Sequence, residues 1–331
     1  MKKKVTSFVK SAGSMSVAEL ERYAPGWILD GQCRQLSPQT LYARQLVIGK
    51  LLWFLKAKGH GECGVPELRA FLAHISRGHE EEGGRWGSQR STPVRPRTLA
   101  TYYGNLRTLF RFLVAEEVIA SSPIERISAP PARPDQIQPF SSGQVEALLK
   151  AARQSSHPRR NEAIVLLLLD TGMRASELCH LRVRDMDLIG SRCCTVLGKG
   201  DKRRILYFSR VTAKAIWQYL NEEARDAGGF VFLSDRSKTA GDPLTRLGLL
   251  RLFTRLGKKG GIEATRCSPH TLRHTFAVEF LRAGGNTFTL QQLLGHTDLA
   301  MTNRYVALAQ ADIENQHRQF SPVERLKRRS A

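Results

Sequence analysis

Apolar positions along this chain recur mainly at three- and four-residue spacing, the period of helices that bury one face. After Ser37-Pro38, the row Leu41, Leu46, Val47, Leu51, Leu52, Phe54 and Leu55 predicts a capped helix with proline in its first turn. A second helix is predicted over 66–75. A third is predicted over 97–119, where Leu99, Tyr102, Tyr103, Leu106, Leu109, Phe110 and Leu113 form the stripe. Residues 77–97 are polar and Gly-rich and read as a loop. Farther along, helical patterns cover 144–153, 160–170, 176–181, 212–225, 247–258, 271–283, 289–294 and 301–309. Two strand-like runs, 193–197 and 204–208, flank GKGDKR, which predicts an antiparallel hairpin with a basic turn. No internal repeat is evident. The pattern predicts a mainly α protein with one small antiparallel sheet.

The 331 residues are more than one average core serves, which predicts two domains. The break falls at SAPPARPDQIQP, where four prolines in twelve residues remove backbone donors and fix φ. The expected layout is a basic tail (1–14), a helical lobe (15–127), an extended linker (128–137), a mixed lobe (138–320) and a second basic tail (321–331). An apolar fraction of 41% and a charged fraction of 24% exclude a largely disordered chain. Fifty-one Lys and Arg stand against thirty Asp and Glu, a formal charge of +21. Residues 1–134 carry +9 and residues 135–331 carry +12, so both lobes are basic. Such a surplus points to a polyanion, nucleic acid ahead of an anionic membrane surface. Two basic lobes on an extended tether suit a clamp around a duplex.

The strongest apolar run, 163–169, is far short of the roughly 20 residues that span a bilayer. Lys10 interrupts MKKKVTSFVK before a secretory h-region develops. The six cysteines (Cys33, Cys63, Cys179, Cys193, Cys194, Cys267) have no framework-like spacing and read as reduced thiols in a cytoplasmic protein. His60, Cys63, His74 and His79 imitate zinc-ligand spacing, but Cys63 precedes a helix start and His74 sits within an apolar stretch. They read as part of the fold.

Four segments of the second lobe carry side chains suited to phosphoryl chemistry. TGMRASEL (171–178) follows a buried-looking helix and places Gly172 and Arg174 at the turn into the next. LGKGDKRR (197–204) puts Lys199 on the hairpin tip. SPHTLRH (268–274) opens a helix on which His270 and Arg273 share a face. LLGH (293–296) is followed nine residues later by Tyr305 in TNRYVAL.

Box by box, these segments resemble the tyrosine recombinase (phage-integrase type) family of site-specific DNA recombinases. Six hallmark residues stand in the family's order: Arg174, Lys199, His270, Arg273, His296 and Tyr305. The resemblance covers the whole second lobe, and the helical first lobe is similar to the family's SAM-like core-binding domain. It implies a two-domain, C-shaped clamp on duplex DNA. Direct displacement at a phosphodiester needs a nucleophile, an acid for the departing 5′-oxygen and fixed positive charge at the non-bridging oxygens. Arg174 and Arg273 suit the last need, their planar forks holding oxygens bidentately. His296 suits a further hydrogen bond to the phosphate, and Tyr305 supplies the phenol for a 3′-phosphotyrosyl ester.

The family implies Lys199 as general acid and His270 as an acid/base aid, while Glu177 resembles a bracing carboxylate. Lys202 competes with Lys199 for the acid's place and otherwise reads as a phosphate contact. His274 reads as structural, and the remaining aromatics, Trp217 among them, as core. Arg203 and, in the first lobe, Arg44, Arg97 and Arg107 are candidate DNA contacts. No cofactor, metal or ATP is expected, because arginines supply the charge a divalent ion would otherwise bring. The resemblance further implies a monomer in solution that assembles as a tetramer on DNA, exchanging strands stepwise through a four-way junction. In that assembly the amphipathic segment 313–320 would dock on a neighbour. A type IB topoisomerase-like relaxing enzyme and a non-catalytic DNA-binding module are the rival readings. The short segment before the first lobe predicts no separate arm-binding domain and favours a simple recombinase or small-element integrase. Target site, accessory factors and biological role stay open at this point.

Overall fold

The computed structural model describes residues 13–79, 85–86, 92–131, 138–198, 203–222, 225–234, 241–296, 299–309, 317, 321 and 323. Two compact units emerge, Met1–Asp135 and Gln136–Ala331. Most of the expected linker, 132–137, lies outside the described residues.

The first unit is a helical bundle. A two-residue strand β1 (Met15–Ser16) leads into helix α1 (Val17–Cys33), which the hydrophobic pattern had not assigned. Pro25 and Gly26 obscure the pattern there. The start is nevertheless secured by a capping box between Ser16 and Glu19, and Leu20, Ala24, Trp27 and Gly31 form an inward row with Pro25 on the solvent side. Helix α2 (Pro38–Ala57) starts behind the Ser37 cap. Strand β2 (Glu62–Cys63) pairs antiparallel with β1. Helices α3 (Val65–Ser76) and α4 (Pro96–Ala115) complete the bundle around Trp27, Leu51, Phe71 and Phe110.

Arg44, expected on a DNA-facing surface, is 5% exposed. Its guanidinium lies over the Trp27 ring at 4.6 Å and donates to the Trp27 carbonyl at 2.8 Å, with the Asp30 carboxylate at 3.7 Å. Gly31 makes the room: a Cβ there would stand 2.6 Å from Arg44 Nη1. The sequence shows an arginine in a basic lobe; the interior arrangement is what makes it a structural one. Arg97 and Arg107 are exposed on α4, with Arg107 3.8 Å from Glu125.

The 77–97 segment is also more structured than its composition implies. Arg85 is buried and donates to the carbonyls of Arg77 and Thr92, and Trp86 packs against Trp53, Phe71 and His74. His74 Nε2 lies 3.0 Å from the Arg85 carbonyl, and His79 Nε2 lies 2.6 Å from that of His74. Cys63 is fully buried and its thiol is pushed up to about 12 by burial. Among the described residues no group of three or more His, Cys, Asp or Glu could hold a metal ion.

The second unit is built around helix α6 (Pro158–Thr171), whose Ala163, Ile164, Val165, Leu167 and Leu168 are all buried. Against it pack α5 (Ser142–Arg153), α8 (Arg210–Leu220) and α10 (Pro269–Arg282). The short helix α7 (Ala175–His180) and helix α9 (Arg246–Lys259) also pack together. Strands β3 (Met186–Asp187), β4 (Cys193–Leu197) and β5 (Arg203–Tyr207) form an antiparallel sheet in that order, one strand more than the pattern predicts. Helices α11 (Thr287–Leu294) and α12 (Leu299–Ala309) enclose a smaller core with α10, made of Ala277, Val278, Leu281, Leu290, Leu294, Tyr305 and Ala309. Trp217 is not core: α8 turns Thr212, Ala213, Ala215, Ile216 and Tyr219 inward and leaves Trp217 54% exposed. All six cysteines are free. Among the described residues no helix is long and apolar enough to cross a membrane.

Replacing Arg44 by alanine removes a buried charge-assisted hydrogen bond and leaves Asp30 and the Trp27 carbonyl short of a donor. The expected cost is about 2 kcal/mol in urea unfolding.

Candidate active site

The end of α6 creates the first part of the site. Gly172 adopts φ +60°, ψ 19°, the left-handed cap conformation, and a Cβ there would lie 2.3 Å from Phe276 Cδ1. The chain then turns so that Arg174 caps α7, its backbone N–H donating to Glu177 Oε2 at 2.7 Å. Glu177 is buried and bound by two guanidinium groups. Arg174 Nη1 donates to Oε1 at 3.0 Å, while Arg204 on β5 donates Nη1 and Nη2 to Oε1 and Oε2, each at 2.7 Å. Burial alone would raise the Glu177 pKa. The hydrogen bonds from Arg204 and Arg174 outweigh it and hold the carboxyl below its ordinary value.

Three arginines then converge on one turn. Helix α11 ends at Gly295, also left-handed at φ +63°, and its last carbonyls have no helical partner. Arg204 Nε donates to the Leu293 carbonyl at 2.9 Å, Arg273 Nη2 to that of Leu294 at 2.8 Å and Arg174 Nη2 to that of Gly295 at 2.9 Å. Arg273, 3% exposed on α10, also donates Nη1 to the Gly172 carbonyl at 2.8 Å. Burial, followed by repulsion from Arg174, lowers its pKa to about 10, so it stays charged at neutral pH.

His296 follows the turn, with Nε2 2.9 Å from Arg273 Nη2 and Nδ1 3.0 Å from Thr302 Oγ1. A guanidinium only donates, so Nε2 is the acceptor and the proton sits on Nδ1, facing the threonine. Burial and the charges of Arg273, Arg174 and Arg204 push its pKa down to about 4. In this arrangement Nε2 of His296 is directed at Arg273.

Tyr305, on α12, is 3% exposed, and its ring stacks near His296 at a centroid distance of 6.2 Å. Its hydroxyl lies 2.8 Å from His274 Nδ1. Burial raises the phenol pKa, opposed by Arg273 and Arg304, so the hydroxyl is protonated at neutral pH. His274, which reads as structural in the sequence, therefore touches the tyrosine hydroxyl. His270 is exposed one turn earlier on α10, its ring 4.1 Å from that of His274 in a T-shaped contact. Arg203 is exposed at the start of β5, while Lys199 and Lys202 lie outside the described residues.

Arg174, Arg273, His296 and Tyr305 thus meet around the Leu293–His296 turn, with Glu177 behind them. Arg204 and His274 were missed in the sequence, though each left a signal. Arg204 shares an inward strand phase with buried Leu206, and His274 lies one turn from buried Val278 on the core side of its helix. A polar side chain on an apolar row needs a buried partner.

Residues 139–312 match the family described as the phage integrase family. The chain is 32% identical over 235 residues to "Tyrosine recombinase XerD" of Listeria innocua serovar 6a, an alignment covering 69% of this chain and 77% of that one. It is 33% identical over 236 residues to "Tyrosine recombinase XerC" of Bacillus pumilus, covering 68% and 75%. Among solved structures it shares its fold with the Tn1549 transposon integrase in complex with transposon right end DNA. That match has a TM-score of 0.66 at 20% identity, covering 91% of this chain and 99% of that one. It likewise resembles the XerH site-specific recombinase bound to palindromic difH substrate, with a TM-score of 0.65 at 19% identity, covering 92% and 84%. The chain belongs to the phage integrase family, the tyrosine site-specific recombinases.

Because the Glu177 carboxyl is held below its ordinary value, its contribution to stability is complete above the unfolded carboxylate range and fades as pH falls through the folded value. Glu177→Gln should cost about 3 kcal/mol at pH 7, measured by urea unfolding. The gap from the wild type should be constant down to about pH 5 and close progressively below about pH 4.

Proposed function

We propose that this recombinase cleaves and rejoins duplex DNA by transferring a strand to Tyr305. The phenolic oxygen attacks the scissile phosphorus, forms a 3′-phosphotyrosyl ester and releases a 5′-hydroxyl. The ester retains the energy of the broken phosphodiester, so a 5′-hydroxyl from another strand reverses the step without ATP. Arg174 and Arg273 hold the non-bridging oxygens; each guanidinium has five N–H donors, more than its contacts among the described residues use. Lys199, with Lys202 as the competing candidate, protonates the leaving oxygen, and His270 assists from the exposed end of α10. Glu177, locked by Arg204, fixes the direction of Arg174.

What carries this reading is the meeting of two arginines with one buried tyrosine at a single turn. Lone arginines are ordinary surface charges; two brought together by carbonyls and a carboxylate next to a phenol suit a phosphate in transit. The +21 surplus and the DNA held by the structurally similar proteins support duplex DNA as the partner, and with it a cytoplasmic location. We assign recombination between two sites to four protomers passing through a four-way junction, with segment 313–320 docking on a neighbour. Of that segment only His317 is among the described residues.

A nicked suicide substrate, whose short 5′ fragment diffuses away after cleavage, traps the adduct. Wild-type protein should accumulate a covalent complex in the presence of EDTA, whereas Tyr305→Phe should form none while still binding the same DNA. Arg174→Ala should lose about 3 kcal/mol of transition-state stabilisation, a rate drop of roughly 100-fold or more in the same assay. Binding of that DNA should weaken steeply with salt, because each neutralised phosphate releases a counterion. An adduct retained by Tyr305→Phe would remove this assignment.

A further inference from the structure

His274 has no task in the scheme above, yet its ring is in contact with the attacking atom. Tyr305 is buried and its phenol pKa is raised, so the hydroxyl must lose a proton as it attacks. The three histidines near it are not equivalent. His296 is engaged at both nitrogens, Nε2 by Arg273 and Nδ1 by Thr302. His270 is exposed and lies edge to face against His274. His274 places a ring nitrogen 2.8 Å from the hydroxyl oxygen, within the reach that general-base transfer requires.

We propose that His274 is the proton acceptor for Tyr305: as Oη bonds to the scissile phosphorus and the bond from phosphorus to the 5′-oxygen breaks, the hydroxyl proton passes to Nδ1 of His274. The leaving 5′-oxygen takes its proton from a separate acid. On religation the imidazolium returns its proton to Tyr305. The inference rests on Tyr305 being the nucleophile, as assigned above.

The electrostatics make this transfer depend on the substrate. Burial, and then proximity to His270 and the Arg273 guanidinium on the same helix and to His296 on the facing turn, push the His274 pKa down to about 3. The imidazole is therefore neutral, the form that accepts a proton, but weakly basic. Arg304, beside Tyr305, adds its charge to the phenol from α12. A phosphodiester anion seated on Arg174 and Arg273 offsets the charge that depresses His274 and raises its basicity.

The test uses the full-length protein on the nicked suicide substrate, in single-turnover adduct formation from pH 6 to pH 10. His274→Asn places an amide oxygen near the position of Nδ1, so it keeps a hydrogen-bond acceptor but takes up no proton. We expect adduct formation to slow about 100-fold or more at pH 7 while the Kd for the same DNA stays within about twofold. Raising the pH should narrow the defect as the phenol ionises. A second substrate carries a 5′-bridging phosphorothiolate, whose thiolate leaves without an acid; on it the His274→Asn defect should persist in full. Added imidazole should accelerate His274→Ala, a measurement that does not depend on how Asn packs.

A His274→Asn rate within about threefold of wild type would overturn the proposal. So would recovery of that variant on the phosphorothiolate substrate, which would place His274 on the leaving-group side. If wild-type protein forms no adduct at Tyr305 on either substrate, the failure lies with the nucleophile assignment and takes this inference with it.

Discussion

Three guanidinium groups bonded to three successive carbonyls organise the second unit. Arg204, Arg273 and Arg174 arrive from a strand, a helix and the start of another helix, and they take the carbonyls of Leu293, Leu294 and Gly295 in turn. A helix C-terminus is the negative end of a peptide dipole and leaves these oxygens without helical partners. Cations can therefore gather there at low cost, provided their mutual repulsion is offset. Glu177 supplies the offset as a full negative charge held between Arg174 and Arg204. Charges of one sign would be expensive to bury separately; Glu177 and the carbonyls offset that cost.

That arrangement sets the chemistry of what surrounds it. Burial, reinforced by the packed positive charge, keeps both His296 and His274 neutral, so the site holds permanent cations on guanidinium groups and acceptor nitrogens on its histidines. In the proposed reaction a phosphate would meet donors already fixed in place, with little reorganisation needed when charge develops on its oxygens. The two glycines in left-handed conformation, Gly172 and Gly295, matter for the same reason. Each ends a helix abruptly and presents a carbonyl to an arginine, a turn that residues with a Cβ adopt only under strain.

The first unit teaches a different lesson about charge. Its basic surplus suggests contacts with DNA throughout, yet Arg44 and Arg85 are interior residues that tie backbone carbonyls together. A long flexible stem allows arginine to serve either purpose, and net charge says nothing of which one a given residue serves. Arg97 and Arg107 remain on the exposed side of α4.

Read as a one-dimensional pattern, the chain already determined most of its helices, the β4–β5 hairpin and the order of the family boxes. Those features are local: periodicity, capping residues and proline each act within a few positions. Helix α1 is hidden in the pattern because Pro25 and Gly26 interrupt an otherwise amphipathic run, and the size of Trp217 does not say which way its helix faces. Only the tertiary structure decided that Arg204 supports Glu177, that His274 rather than His296 meets the Tyr305 hydroxyl, and that Arg44 is internal. Each of these depends on contacts between residues 17 to 31 positions apart, and such proximity is created by packing and leaves no periodic trace in the sequence.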